Sequence, residues 1–188
     1  GFGGVDRYKD LEGLNNSELL VETTKKLDKI AKKMYIQSKS FDDLVKLANN
    51  KSVMLASIPA IQPISNKNLK SMTSGFGYRT HPIYKTTHLH SGMDFSSPVG
   101  SPIYATGDGV VETADNLAQG YGNHVVINHN YGYKTLYGHM SRFAVRRGQK
   151  VKRGDVIGYV GSTGMSTAPH LHYEVIKNNN KINNIIIY

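Results

Sequence analysis

The chain contains no cysteine, which excludes a thiol nucleophile, a zinc site built from thiolates and any disulfide bridge. It has no apolar run near the roughly 18 residues that a membrane-spanning helix requires. The motif HExxH, with which a helix presents two histidines to zinc, is also absent. Any zinc site would therefore use histidine and carboxylate side chains in an arrangement other than HExxH.

Positive charge dominates the composition. The 188 residues include 23 Lys and Arg against 14 Asp and Glu, a net charge of +9. Such an excess favours an anionic partner, for example nucleic acid, an acidic membrane face or an anionic cell-wall polymer. The basic residues do not form one block, and no nucleic-acid-binding motif interleaves them. We therefore expect no nucleic-acid partner.

Residues 15–50 contain neither glycine nor proline and show a helical period. Apolar and small residues alternate at spacings of four and three along a seam from Leu20 to Ala48. This pattern is typical of a coiled coil, and polar Thr24 and Ser38 in the seam favour a short hairpin or a truncated coiled coil over a long zipper. We predict a helical arm over residues 1–56.

The composition changes after the arm. Pro59 and Pro63, four residues apart, predict an extended linker over residues 57–64. Short strand-like runs separated by glycine-containing turns follow. The expected strands are Pro102–Thr106, Gly109–Ala114, His124–Asn128, Lys134–His139, Val156–Val160 and Leu171–Ile176. The sequence therefore predicts an α+β protein in which the helical arm precedes an antiparallel β-sandwich or barrel-like domain over residues 65–188.

Histidines recur in three stretches of the β region: residues 88–94 (HLHSGMD), 137–141 (YGHMS) and 169–172 (PHLH). His170 and His172 are two residues apart, so an extended strand points both imidazoles to one side. Such a pair is either a surface feature of an edge strand or half of a metal site. Together with the carboxylate of Asp94, the histidines suit a catalytic zinc site, which takes three protein ligands and leaves a fourth position open.

Five motifs within residues 75–175 carry a more specific signal: GFGYRTHP (75–82), HSGMDF (90–95), GDGVV (107–111), GDVIG (154–158) and PHLHYEV (169–175). In order, spacing and flanking glycines they resemble the lysostaphin-type zinc endopeptidases. The resemblance implies that His90, Asp94 and His172 bind one zinc ion per chain. It also implies that His139 and His170 flank the water that the metal activates, while we expect the other histidines to be structural or surface residues.

The resemblance further implies an enzyme that hydrolyses peptide bonds in the stem peptides or cross-links of peptidoglycan. Its location would be the cell envelope, periplasmic or extracellular, with membrane anchoring of the full-length protein left open. The helical arm would then either gate the cleft or act as a spacer that binds a membrane or envelope partner.

Two alternatives belong to other functional classes. A metal-free relative would bind or activate a cell-wall hydrolase, although all five expected positions are filled here. A lipoyl- or biotin-type carrier barrel shares hairpins of the form V-x-x-G-D-V-I-G. It would need an acceptor lysine in a motif such as Met-Lys-Met, which this sequence lacks.

Overall fold

The computed structural model describes residues 8–9, 16–80, 87–118 and 120–183. The chain forms two compact units, Gly1–Lys51 and Ser52–Tyr188. One long helix, α1, spans Ser17–Ser57. The strands that follow within the described residues are β1 (Ser71–Ser74), β2 (Gly77–Thr80), β3 (Thr87–His90), β4 (Met93–Ser96), β5 (Pro102–Tyr104), β6 (Gly109–Asp115), β7 (His124–Asn128), β8 (Tyr133–Gly138), β9 (Met140–Phe143), β10 (Lys150–Val151), β11 (Val156–Val160), β12 (His170–Lys177) and β13 (Asn180–Ile182).

Helix α1 carries the apolar seam that the sequence predicts, and most of its side chains are exposed. Leu27, Met34 and Phe41, which are spaced by seven residues, are 60%, 65% and 59% exposed. Among the described residues, no helix combines the length and the apolar character that crossing a membrane would demand. The helix continues to Ser57, beyond the predicted end of its periodic pattern.

The end of α1 is fixed by a side chain that is distant in sequence. The guanidinium of Arg153 donates hydrogen bonds to the carbonyl oxygens of Leu55, Ala56 and Ile58. Carbonyl groups in the last turn of a helix have no following helical amides to bind them, and the carbonyl oxygen of Ala56 also accepts a hydrogen bond from the amide of Asp108 at 2.8 Å. Pro59 and Pro63, within the predicted linker, are buried. The predicted boundaries at residues 56 and 64 stay predictions.

All strand pairs within the described residues are antiparallel, as expected for the predicted fold class. An eight-stranded sheet has the order β1-β4-β12-β8-β7-β6-β10, with β13 also paired to β12. A three-stranded sheet has the order β5-β11-β9, and β2 pairs with β3. The prediction of an α+β protein with an N-terminal helix and antiparallel sheets is confirmed.

Strand β12 has neighbours on both edges. Strand β8 pairs with residues 172–177 along one edge. On the other edge β4 pairs with residues 170–173 and β13 with residues 175–177. The two short strands therefore follow each other along the same edge of β12.

The hydrophobic core belongs to the β unit. Its largest fully buried side chains include Tyr137, Tyr173, Phe95, Ile64, Ile103, Ile127, Met140, Ile157 and Leu171. Burying an aliphatic or aromatic side chain of this size stabilises a fold by about 1.5–3 kcal/mol. This packing holds β12 and its neighbours in a fixed register, which positions the side chains on their opposite face.

Candidate metal centre

Strand β12 presents alternating residues to two different environments. Because successive side chains of a strand point to opposite faces, His170, His172 and Glu174 share one face. The other face packs into the core through Leu171, Tyr173 and Val175. The spacing of the two histidines therefore follows from an apolar residue between them that anchors the strand.

Three potential ligand atoms converge beside β12. Asp94 on β4 lies directly opposite His172 in the strand register, and His90 ends β3. Nε2 of His90 is 3.1 Å from Oδ1 of Asp94 and 3.1 Å from Nδ1 of His172. Nδ1 of His172 is 2.9 Å from the same carboxylate oxygen. All three side chains are buried, and their ligand atoms form a group compact enough to hold a metal ion.

The outer nitrogens of these two imidazoles determine which atoms face the cluster. Nδ1 of His90 lies 2.7 Å from the carbonyl oxygen of Gly75, which can only accept, so this nitrogen carries the proton. Nε2 of His172 likewise donates to Oε1 of Glu174 at 3.0 Å. In neutral rings the opposite nitrogens then bear lone pairs that point at Asp94. Three acceptors at these distances repel one another unless they share a cation, so the donor set fits a metal ion.

The charge state of Asp94 also suits a cation. Burial on its own would raise the pKa of this carboxyl group, but protons that the imidazoles of His172 and His90 share with it outweigh that effect and hold the pKa well below its usual range; a metal ion held by the three side chains would supply positive charge in place of those protons. Asp94 is therefore ionised at neutral pH. One carboxylate and two neutral imidazoles leave a divalent metal ion with a net positive charge.

His139 and His170 lie next to the cluster, with their rings 4.6 Å apart between centroids. Nδ1 of His139 donates to the carbonyl oxygen of Thr163 at 2.8 Å, and Nδ1 of His170 donates to that of Ala168 at 2.7 Å. The Nε2 atom of each ring is thereby left as the acceptor. Nε2 of His170 is 3.7 Å from Oδ1 of Asp94.

His139 occupies an unusual backbone position. Its φ angle is 59°, in the left-handed region that few residues other than glycine adopt, although histidine is among the more tolerant. The residue joins β8 in the large sheet to β9 in the three-stranded sheet. Burial lowers the pKa of its imidazole, and the nearby His170 and His172 lower it further. The hydrogen bond to the carbonyl group of Thr163 raises the pKa, which is about 4 when these effects are combined. The ring is therefore neutral at neutral pH.

All five residues predicted from the sequence are thus brought together in the described structure. Glu174 and Lys181, whose ion pair lies behind His172, are not predicted from the sequence. The position of Glu174 could have been predicted, because it follows His172 by two residues on a strand and therefore lies on the same face. Of the histidines predicted to be structural, His124 and His129 are buried and hydrogen-bonded. His81 lies outside the described residues, and the side chain of His88 is also outside them.

The chain is similar to known proteins in sequence and in fold. Residues 88–184 match the model of peptidase family M23. The chain is 48% identical over 105 residues to the peptidoglycan DD-endopeptidase ShyA of Vibrio cholerae, which covers 56% of this chain and 24% of that protein. It spans about a quarter of the length of the curated relatives it matches.

Two solved structures are similar in sequence and in fold. A zinc-containing peptidase from Vibrio cholerae is 42% identical with a TM-score of 0.60, over 64% of this chain and 37% of that one. The catalytic domain of the antimicrobial peptidase lysostaphin from Staphylococcus simulans is 32% identical with a TM-score of 0.57, over 64% of this chain and 92% of that one. These matches confirm the resemblance read from the motifs and decide against a carrier barrel. The chain belongs to peptidase family M23.

Proposed function

We propose that this protein is a zinc-dependent endopeptidase that hydrolyses peptide bonds in the stem peptides or cross-links of peptidoglycan. Membership of a peptidase family supports the reaction class, and a relative named as a peptidoglycan DD-endopeptidase supports the substrate. The observation that carries the proposal is the buried convergence of two histidine nitrogens and one carboxylate oxygen. Such a substrate implies a location in the cell envelope, periplasmic or extracellular.

In this proposal His90, Asp94 and His172 hold the zinc ion. Two histidines and a carboxylate are a known catalytic ligand set for zinc, which leaves a further coordination position free. A zinc ion bound there supplies Lewis-acid chemistry, polarising a carbonyl group and lowering the pKa of water. Gly75 and Glu174 keep the two imidazoles in the tautomers that present bare nitrogens to the ion.

His139 and His170 handle protons beside that position. The carbonyl groups of Thr163 and Ala168 hold the Nδ1 protons, so each imidazole accepts a proton at Nε2. One of the two rings removes a proton from the attacking water at this atom. A protonated ring later gives its Nε2 proton to the nitrogen of the departing amine, which completes the cleavage of the peptide bond.

The helical arm has a separate proposed role as a spacer that binds a membrane or envelope partner. Its exposed apolar residues, such as Leu27 and Phe41, support contact with another molecule. The role of the arm is tested by comparing the rates at which chains with and without residues 1–51 digest the same peptidoglycan.

The proposed reaction is tested by digesting purified peptidoglycan with the zinc-loaded chain and identifying the products by mass spectrometry. We expect cross-linked muropeptides to decrease while shorter peptides appear. The His170→Ala variant is the matched control, because it should bind zinc and lose most turnover. A wild-type chain that binds zinc and peptidoglycan but releases no product would instead support the alternative of a binding or activating relative.

A further inference from the structure

A fully buried carboxylate, Glu174, lies behind the candidate metal centre. Its Oε1 atom accepts hydrogen bonds from Nε2 of His172 at 3.0 Å, the hydroxyl of Tyr121 at 2.9 Å and Nζ of Lys181 at 3.0 Å. The hydroxyl of Ser91 donates to the same oxygen. Oε2 is buried and has no hydrogen-bond partner within the described structure. The orientation of this carboxylate therefore depends on the donors around one oxygen.

Lys181 supplies the cation of this group. It lies on β13 opposite Ile176 of β12, so its side chain is on the same face as Glu174 and His172. Its ammonium group also donates to the hydroxyl oxygens of Tyr121, at 2.9 Å, and Ser91, at 3.1 Å. A charge that is buried needs a paired charge and well-aligned hydrogen bonds, so the one ammonium group bound to Glu174 restricts where this carboxylate can lie.

The position of Glu174 in turn limits the orientation of His172. The carboxylate accepts the Nε2 proton, which leaves Nδ1 as the atom that faces Asp94. The ring of Tyr121 lies 5.6 Å from the imidazole of His172 between centroids and restricts its rotation. Outer partners of this kind typically change metal affinity or activity by about 10- to 100-fold when they are removed from metal sites.

We propose that Lys181 is a positioning residue of the metal centre, which acts through Glu174 to hold His172 with Nδ1 toward the ion. This inference rests on the proposed metal site and adds a residue from outside the histidine motifs. It makes the short edge strand β13 part of the metal centre, because β13 follows β4 along the same edge of β12.

The first test compares the zinc affinities of full-length variants by competition with a chromophoric chelator. We expect Lys181→Met to bind zinc roughly 10-fold more weakly, and Lys181→Arg to restore most of the affinity because it keeps the cation. Lys177→Met is the matched control, since Lys177 binds the carbonyl oxygen of Tyr131 and lies over the ring of Tyr133 instead. Its affinity should equal that of the wild type.

A double-mutant cycle tests the path through Glu174. Glu174→Gln should weaken zinc binding by about 10- to 100-fold, and adding Lys181→Met should cause little further loss, because residues that act in one network are not additive. Full additivity would show that Lys181 does not act through Glu174. Unchanged affinity in Lys181→Met overturns the proposal while leaving the metal site intact.

Two further measurements separate the possible causes. The melting temperature of each metal-free variant shows whether it is folded, and Lys181→Gln serves as a second variant should the methionine chain fail to fold. A lower melting temperature with wild-type zinc affinity would assign Lys181 a structural role only and reject the proposal. A wild-type chain that binds no zinc would reject the proposed metal site itself, a different result from a defect confined to Lys181.

Discussion

Replacing Gly92 by alanine adds one methyl group at the point where the β3–β4 turn meets strand β12. A Cβ atom at this position would lie 2.5 Å from the carbonyl oxygen of Tyr173, 2.9 Å from Cε1 of His172 and 3.0 Å from Cγ of Glu174. The carbonyl oxygen belongs to a central strand of the large sheet, so it cannot move away without a large energetic cost. The turn and the imidazole therefore have to shift, which would disturb the candidate metal ligand His172 and its carboxylate partner Glu174 together.

Overpacking of this kind typically destabilises a protein by about 1–3 kcal/mol. For a domain of this size, each kcal/mol lowers the melting temperature by about 2–4 °C. We expect Gly92→Ala to show a reduced melting temperature by calorimetry and a clearly weaker zinc affinity in a chelator competition. The loss would be steric, because Gly92 does not have the positive φ angle that disfavours alanine.

Gly75→Ala is the matched control for this prediction. A Cβ atom on Gly75 would meet nothing within 4 Å, and the carbonyl group that binds His90 is retained. This variant should have wild-type zinc affinity and a stability that is unchanged or higher by about 0.4–1 kcal/mol, since alanine reduces the entropy of the unfolded chain. Equal zinc affinity and equal melting temperature in Gly92→Ala and the wild type would refute the steric argument.

Three other predictions follow from the described contacts. His139→Ala should keep its zinc in metal analysis yet lose about 100- to 10,000-fold in turnover on peptidoglycan, the usual contribution of a general acid or base, whereas an active variant would make this imidazole structural. A chain of residues 52–188 should have the same stability as the β unit has in the full chain. A chain of residues 60–188 should have a lower melting temperature, because Arg153 loses its carbonyl partners at a cost of about 1–3 kcal/mol. Equal melting curves for the two truncated chains would contradict this prediction. Burial lowers the pKa of the His129 imidazole, so as the pH falls the unfolded chain binds a proton at this residue before the folded chain does. The free energy of unfolding should therefore decrease as the pH drops below about 6.5. Denaturant unfolding at several pH values checks this, and the His129→Gln variant should show a weaker pH dependence.

The comparison of 52–188 with the full chain also tests the arm. Equal rates of peptidoglycan digestion would agree with a spacer. A truncated chain that is folded, zinc-loaded and clearly faster would instead show that the arm limits access to the site. Either outcome is informative because both chains retain the helix end that Arg153 binds.

Much of the local structure follows from short-range patterns in the sequence. The strands at His124–Asn128 and Val156–Val160 have the predicted bounds, because each is a short β-branched run between glycine-containing turns. The helical character of residues 17–50 is predicted for the same kind of reason, since the alternation of four- and three-residue spacings is long and uninterrupted, but the segment forms one continuous helix and not a short hairpin. The last turn lies beyond this periodic pattern, and Arg153, nearly a hundred residues away, binds a carbonyl group there.

Most of the shortest strands escape prediction, although β5, with three residues, lies within a predicted strand. Strands β1 to β4, β9, β10 and β13 contain between two and four residues, too few for any period to be visible. Each forms because a neighbouring strand offers a row of backbone partners. Propensity within such a segment therefore carries little information about its structure.

The same division applies to the candidate metal centre. Alternation along a strand determines that His170, His172 and Glu174 share a face, and the resemblance to the lysostaphin-type endopeptidases implies His90 and Asp94 as their companions. Only the pairing of β4 and β13 with one edge of β12 decides that Asp94 lies opposite His172 and that Lys181 reaches Glu174. The spacing of residues along one strand determines to which face their side chains point. The distance between residues of different strands depends on which strands pair and in which register, and the packing of the whole core decides that.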